Sequence, residues 1–187
     1  MLYLPPDAEN KQQKSTIDWP KRFQELAKAA KYPPLKRYYE AGIANAETAI
    51  EEVPMVAVDF ETTGMNPDKH GIISIAVVPM TLSRIDMSKA QQWVVKPRRL
   101  LTEESVTIHG ITHSEIEQAP DLADVIEPLL EAVSGKVWVV HYNGIERPFL
   151  QGAFEERLNE TIHFPLIDTM EIEARFHRQK RSLWDKL

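Results

Sequence analysis

No cysteine occurs among the 187 residues, which excludes a disulfide framework and thiolate chemistry and fits a reducing compartment. Long apolar runs are missing as well. No stretch reaches the roughly 18 residues that mark a membrane-spanning helix. The opening Met1-Leu2-Tyr3-Leu4-Pro5-Pro6-Asp7 has neither a positive region nor an apolar core of signal-peptide length. A cytoplasmic setting with no membrane contact is therefore expected. Basic residues are not in excess: the formal net charge is −6, which argues against a general nucleic-acid coat. Repeats and low-complexity tracts are also lacking. The 43% hydrophobic and 27% charged content is that of one ordinary globular domain with a real core and room for an extra helical element.

The charge is unevenly spread: residues 1–50 hold 8 Lys and Arg against 6 Asp and Glu, and residues 51–187 hold 14 against 22. An acidic body suits a site that binds cations, because bound ions reverse the field that a phosphate substrate meets. Residues 1–52 read as a helical N-terminal extension. Asp18 is placed to cap a helix with Pro20 in its first turn, and Phe23, Leu26, Ala27 and Ala30 fall on one face. Pro33-Pro34 is expected to end it, a second helix is expected over Leu35 to Ala41 with Gly42 as its stop, and a third piece over Asn45 to Glu52. Lys21, Arg22, Lys28, Lys31, Lys36 and Arg37 interleave with Tyr32, Tyr38 and Tyr39. That pattern is open to two readings: a track for a nucleic-acid backbone with stacked bases, or a solvated helical face with its aromatics packed inward.

Residues 53–187 read as an α/β body. Strands are expected over Val53–Phe60, Ile72–Val78 and Gln92–Lys96, and their short links imply an antiparallel meander. Short helices are expected over 103–107 and 114–118. A helix from Pro120-Asp121 to Val133 leads to a fourth strand, Lys136–Val140, which a right-handed crossover places parallel to the first. A helix over Glu146–Leu158, a short fifth strand over Phe164–Ile167 and a helix from Asp168 to about Arg178 complete the pattern.

The chemistry gathers at Val56-Ala57-Val58-Asp59-Phe60-Glu61-Thr62-Thr63-Gly64, an apolar run that ends in two carboxylates and breaks at a glycine. Strand alternation projects Asp59 and Glu61 from one face, about 7 Å apart. Either they mark a solvent-exposed strand end, or a divalent cation lies between them. Hard oxygen ligands suit Mg²⁺ or Mn²⁺ rather than zinc. Thr62, Thr63 and Gly64 supply hydroxyls, N–H groups and a flexible backbone for close approach to a phosphate or sugar. In His141-Tyr142-Asn143-Gly144-Ile145-Glu146 the fourth strand becomes a helix, and Glu146 arrives near Asp59 and Glu61 at the carboxyl ends of the strands. Taken alone, Glu146 also reads as a first-turn acid favoured by the helix dipole.

Asp59-Phe60-Glu61-Thr62-Thr63-Gly64 resembles the first motif of the DEDD (DnaQ-like) 3′–5′ exonucleases, a family that includes the proofreading subunits of bacterial replicative polymerases. Ile108-His109-Gly110-Ile111-Thr112 is similar to the family's intervening segment, Val140 to Leu150 to its second motif, and Ile167-Asp168-Thr169 to the strand end that follows. The match runs in order from about Val53 to Arg178. It implies a ribonuclease H-like three-layer fold with a mixed central sheet, strands 1–3 antiparallel and strands 4 and 5 parallel to strand 1. It also implies removal of nucleotides from single-stranded or frayed 3′ ends of DNA or RNA, with other replication or repair proteins as candidate partners.

In the family's two-metal scheme, ions about 4 Å apart activate a water and stabilise the leaving 3′ oxygen. The resemblance gives Asp59 the bridging position, Glu61 the metal of the nucleophile and Glu146 the second metal, directly or through water. Thr62, Thr63, Gly64 and Met65 would cradle the terminal nucleotide, with His109, Ile111 and His141 lining its pocket. Both His109 and His141 also read as core histidines. Two departures stand out. Glu146 replaces the usual aspartate, and nothing after Asp168 matches the third motif, a histidine followed about five residues later by an aspartate: His177 and Asp185 are eight apart. A chain that continues beyond Leu187, or a naturally incomplete enzyme, is expected. The alternatives are a catalytically incomplete nucleic-acid-binding or protein-interaction module on the same fold, and an adaptor built around residues 1–50.

Overall fold

The structure is a computed structural model that describes residues 17–98 and 110–184. The helix expected over 103–107, together with His109 and Asp185, lies outside the described residues.

Two helices open the fold. In α1 (Trp19–Ala29) the Asp18 side chain accepts from the Lys21 N–H and a proline sits in the first turn, so both predicted start signals operate. Pro33 does not end this helix; it begins α2 (Pro33–Glu40), because a proline's missing N–H is harmless in a first turn. Beyond Gly42, which takes a φ of 72°, the predicted third helix reduces to a single 3₁₀ turn, Ile50–Glu52. Phe23, Leu35, Tyr38 and Tyr39 are buried in the same apolar cluster as the body's strands and helices, so these tyrosines do not stack bases.

The body is a five-stranded sheet in the order β3-β2-β1-β4-β5. Its strands are β1 (Met55–Thr62), β2 (Ile72–Met80), β3 (Gln91–Val94), β4 (Val137–Val140) and β5 (Leu166–Asp168). The pairs β1/β2 and β2/β3 are antiparallel and β1/β4 and β4/β5 are parallel, the mixed topology expected. The helices are α3 (His113–Gln118), α4 (Leu122–Val133), α5 (Glu146–Leu158) and α6 (Thr169–Trp184). Thr112 and Glu115 form a reciprocal capping box at α3, and Asp121 caps α4 by accepting from the Ala123 N–H at 2.9 Å. Asp121 also receives Arg98 and Arg157, and these donors hold its carboxyl at about 2 against its partial burial.

Val56, Val58 and Phe60 of β1 join Ile75 and Val77 of β2, Trp138 and Val140 of β4, and the apolar faces of α4 and α5 in the core. Trp138 and Phe164 stack with centroids 4.0 Å apart, and neither is exposed. Phe164→Ala is expected to destabilise the protein by about 3–5 kcal/mol, read from the urea midpoint at unchanged m-value.

Candidate active site

Two registers bring the motifs together. Met55 lies beside Val137 and Ala57 beside Val139, so continuing the parallel register by two more residues sets Asp59 level with His141. Val140 pairs with Asp168 on the other side. The carboxyl ends of β1, β4 and β5 thus converge, as expected for the site of an open α/β sheet.

Along β1, Val56, Val58, Phe60 and Thr62 are buried while Asp59 is exposed and Glu61 half-buried, so the two acids share the face away from the core. A bulge between Glu61 and Thr62 then turns the chain. The two threonines are buried, and their hydroxyls shape the loop itself. Thr62 donates to the Gly64 carbonyl at 2.9 Å, and the Thr63 hydroxyl accepts from the Gly71 N–H at 2.9 Å. The His70 ring lies against Gly64 so closely that a Cβ there would come within 2.7 Å of it, which makes glycine necessary at this position. Met65, 67% exposed, projects from the same loop. What this stretch leaves open to a ligand is therefore Met65 and the main chain.

Glu146 is the first residue of α5 and is only 3% exposed. Its Oε2 has no hydrogen-bond partner. Burial first, then the nearby charges of Asp59 and Asp168, push its carboxyl up from 4.5 to about 7, against a bond from its own N–H. Asp168 is the opposite case. Its carboxylate accepts from the N–H groups of Tyr142 (3.1 Å), Asn143 (2.9 Å), Met170 (3.0 Å) and Glu171 (3.4 Å), and despite partial burial these bonds lower its pKa.

His141 is exposed, and its Nδ1 lies 3.0 Å from the Thr169 hydroxyl, which itself donates to the Val140 carbonyl at 3.0 Å. Since that hydroxyl has one proton, Nδ1–H is the donor to it and Nε2 is left as an acceptor. Ile111 is half-buried just before α3. His177, on α6, pairs with Glu173 at 3.7 Å.

The sequence reading did not single out Asp168, Tyr142 or His70 as parts of the site. Asp-Thr at a strand end is a capping signal that points to Asp168; the His70 contact with Gly64 leaves no local signal.

Among the described residues, no three His, Asp or Glu side chains converge as a ready-made metal cage. The chemistry of the donors nevertheless fits a hard divalent cation. Glu146 presents an unpartnered buried oxygen within electrostatic range of Asp59, and a cation would neutralise both. Asp168, by contrast, is already held by four N–H groups, three on Oδ1 and one on Oδ2.

The raised Glu146 carboxyl ties stability to pH. Between 4.5 and about 7 the folded protein keeps a proton that the unfolded chain releases, so stability falls as pH rises through that window. In EDTA at pH 8, Glu146→Gln is expected to exceed the wild type in stability by about 1–3 kcal/mol, with the gap closing at pH 5. Urea unfolding at both pH values measures it, and an equal gap at both contradicts burial of the charge as the cause.

A family model described as exonuclease (RNase_T) matches residues 56–186. Over 128 residues the chain is 31% identical to the PolC-type DNA polymerase III of Bacillus subtilis, covering 68% of this chain and 9% of that protein. Over 142 residues it is 25% identical to the DNA polymerase III epsilon subunit of Buchnera aphidicola, covering 71% of this chain and 60% of that subunit. The chain therefore spans less than two thirds of the length of both relatives. Among solved structures, the zinc-bound complex of E. coli exonuclease I with single-stranded DNA superposes with a TM-score of 0.55 at 15% identity, over 65% of this chain and 29% of that one. The architecture is ribonuclease H-like, a mixed five-stranded sheet with helices.

Proposed function

The chain belongs to the RNase_T exonuclease family, and on that footing we propose that it is a metal-dependent 3′–5′ exonuclease acting on single-stranded or frayed 3′ ends of DNA or RNA. The observation that carries this reading is the buried, unpartnered Glu146 carboxylate beside Asp59 at the carboxyl ends of β1 and β4. Asp59, Glu61 and Glu146 would hold two Mg²⁺ or Mn²⁺ ions. When bound, such ions lower the pKa of a water and stabilise charge on the leaving oxygen.

The chain's own groups do the rest. Exposed Met65 offers an apolar contact to the terminal base or sugar, and the main chain at Thr62, Thr63 and Gly64 borders the same place. His141 presents the acceptor Nε2, which would receive a bond from a sugar hydroxyl. Ile111 and His109 would wall the pocket. Replication or repair proteins are the proposed partners, in the reducing cytoplasm that a cysteine-free chain suits.

One observation favours a second reading, a module that binds 3′ ends without shortening them: no three acids converge among the described residues. One assay separates the two. Incubated with the protein and Mn²⁺, a 5′-labelled oligonucleotide is expected to give a ladder shortened from its 3′ end. Asp59→Asn or Glu61→Gln should slow it at least about a hundredfold, since the metal contribution is several kcal/mol. Binding without a ladder, unaffected by Asp59→Ala, would establish the module instead.

A further inference from the structure

The turn that delivers Glu146 is strained. Tyr142 sits at φ 81°, a region that a bulky side chain enters only at a cost of about 1–3 kcal/mol. Its ring lies over Gly144, where a Cβ would approach Tyr142 Cζ to 2.6 Å, so two adjacent features of the turn depend on each other. Four residues after Tyr142 the chain enters α5, and Glu146 is buried there with Oε2 unpartnered. Within the turn, the Tyr142 carbonyl accepts a long bond from the Ile145 N–H at 3.4 Å.

Shorter bonds come from β5. Asp168 Oδ1 accepts from the Tyr142 N–H at 3.1 Å and Oδ2 from the Asn143 N–H at 2.9 Å, so each oxygen fixes one of two successive amides. The same carboxylate accepts from Met170 and Glu171 in the first turn of α6, which anchors it. Thr169, the next residue, binds the Val140 carbonyl and His141 Nδ1. A residue that served only to start α6 would not reach across to the β4–α5 turn.

We propose that Asp168 is a positioning residue: it clamps the strained Tyr142 turn and thereby fixes where the Glu146 carboxylate stands, without itself touching metal or substrate. The proposal deepens the exonuclease reading and rests on it for the identity of the metal-bound state. Asp168→Asn keeps one acceptor oxygen and turns an NH₂ toward a backbone donor, so it breaks the clamp with little change in volume. Asparagine at position 142 tolerates positive φ without a clamp. The two substitutions therefore offset each other if the clamp acts through the turn.

The test is a double-mutant cycle of Asp168→Asn and Tyr142→Asn, with two readouts. The first is kcat, KM and half-saturating Mn²⁺ on a 5′-labelled oligonucleotide. The second is the Mn²⁺-induced rise in melting temperature over an EDTA control, which needs no activity. Asp168→Asn is expected to lower kcat about tenfold or more and to raise the Mn²⁺ requirement, with KM for the oligonucleotide little changed. Adding Tyr142→Asn is expected to restore most of the loss, a coupling that contacting residues show and distant ones do not. Folded variants in which Asp168→Asn keeps the wild-type kcat and Mn²⁺ shift, or in which Tyr142→Asn restores neither, overturn the proposal. If the wild type shows a Mn²⁺ shift but no ladder, the exonuclease reading falls while the shift still decides the clamp. If the wild type shows no shift at all, both fall.

Discussion

Strand β1 carries two opposed demands on alternate residues. It is bonded on both edges, antiparallel to β2 and parallel to β4. One of its faces contributes Val56, Val58 and Phe60 to the core alongside Trp138 and Leu129, and the other presents Asp59 and Glu61. A slip of one residue against either neighbour would drive both carboxylates into that core, so the register is strongly specified. Because β4 and β5 are aligned on β1, the same register decides that His141, Glu146 and Asp168 arrive at the acids' end of the sheet. The bulge after Glu61 ends the alternation where it is no longer needed, and the loop closes through the hydroxyls of Thr62 and Thr63.

Carboxylates in this protein divide by how many donors reach them. Asp121 receives two guanidinium groups and a backbone N–H, Asp168 receives four backbone N–H groups, and both titrate low. These acids are part of the scaffold: their charge is met by donors of the chain itself. Glu146 is equally close to the chain but has an empty oxygen and a raised carboxyl. Similar acids acquire different tasks from their surroundings alone. The unpaired Glu146 oxygen is an unfavourable feature that a positive charge beside it would relieve.

The N-terminal helices are bound to the body on the side of β4 and β5. The carboxylate of Glu160 accepts from the Lys31 and Tyr32 N–H groups at 2.8 and 2.7 Å, and the Tyr39 hydroxyl accepts from the His163 N–H at 2.9 Å. Arg37 pairs with Glu127 of α4. Phe23, Tyr38 and Tyr39 pack edge to face or tilted against one another inside the shared core. Outside it, Arg22 and Lys36 form ordinary surface pairs with Glu25 and Glu40, which contribute little to stability. These helices brace the segment between α5 and β5, and so support the strands whose ends build the site.

Local pattern made much of this legible. The Asp18 and Asp121 caps, the helix over Glu146–Leu158 and the alternation of β1 all depend on residues within a turn or a strand of one another. The sequence by itself therefore determined the elements, the mixed sheet and the three acids as candidates. Boundaries moved where context outweighed propensity: Pro33 started a helix, and α6 ran on to Trp184. Only the tertiary structure decided which acid is which. Whether a carboxylate is held by several donors like Asp168 or left wanting like Glu146 depends on N–H groups and charges brought from distant strands, and no spacing along one strand or helix records their arrival.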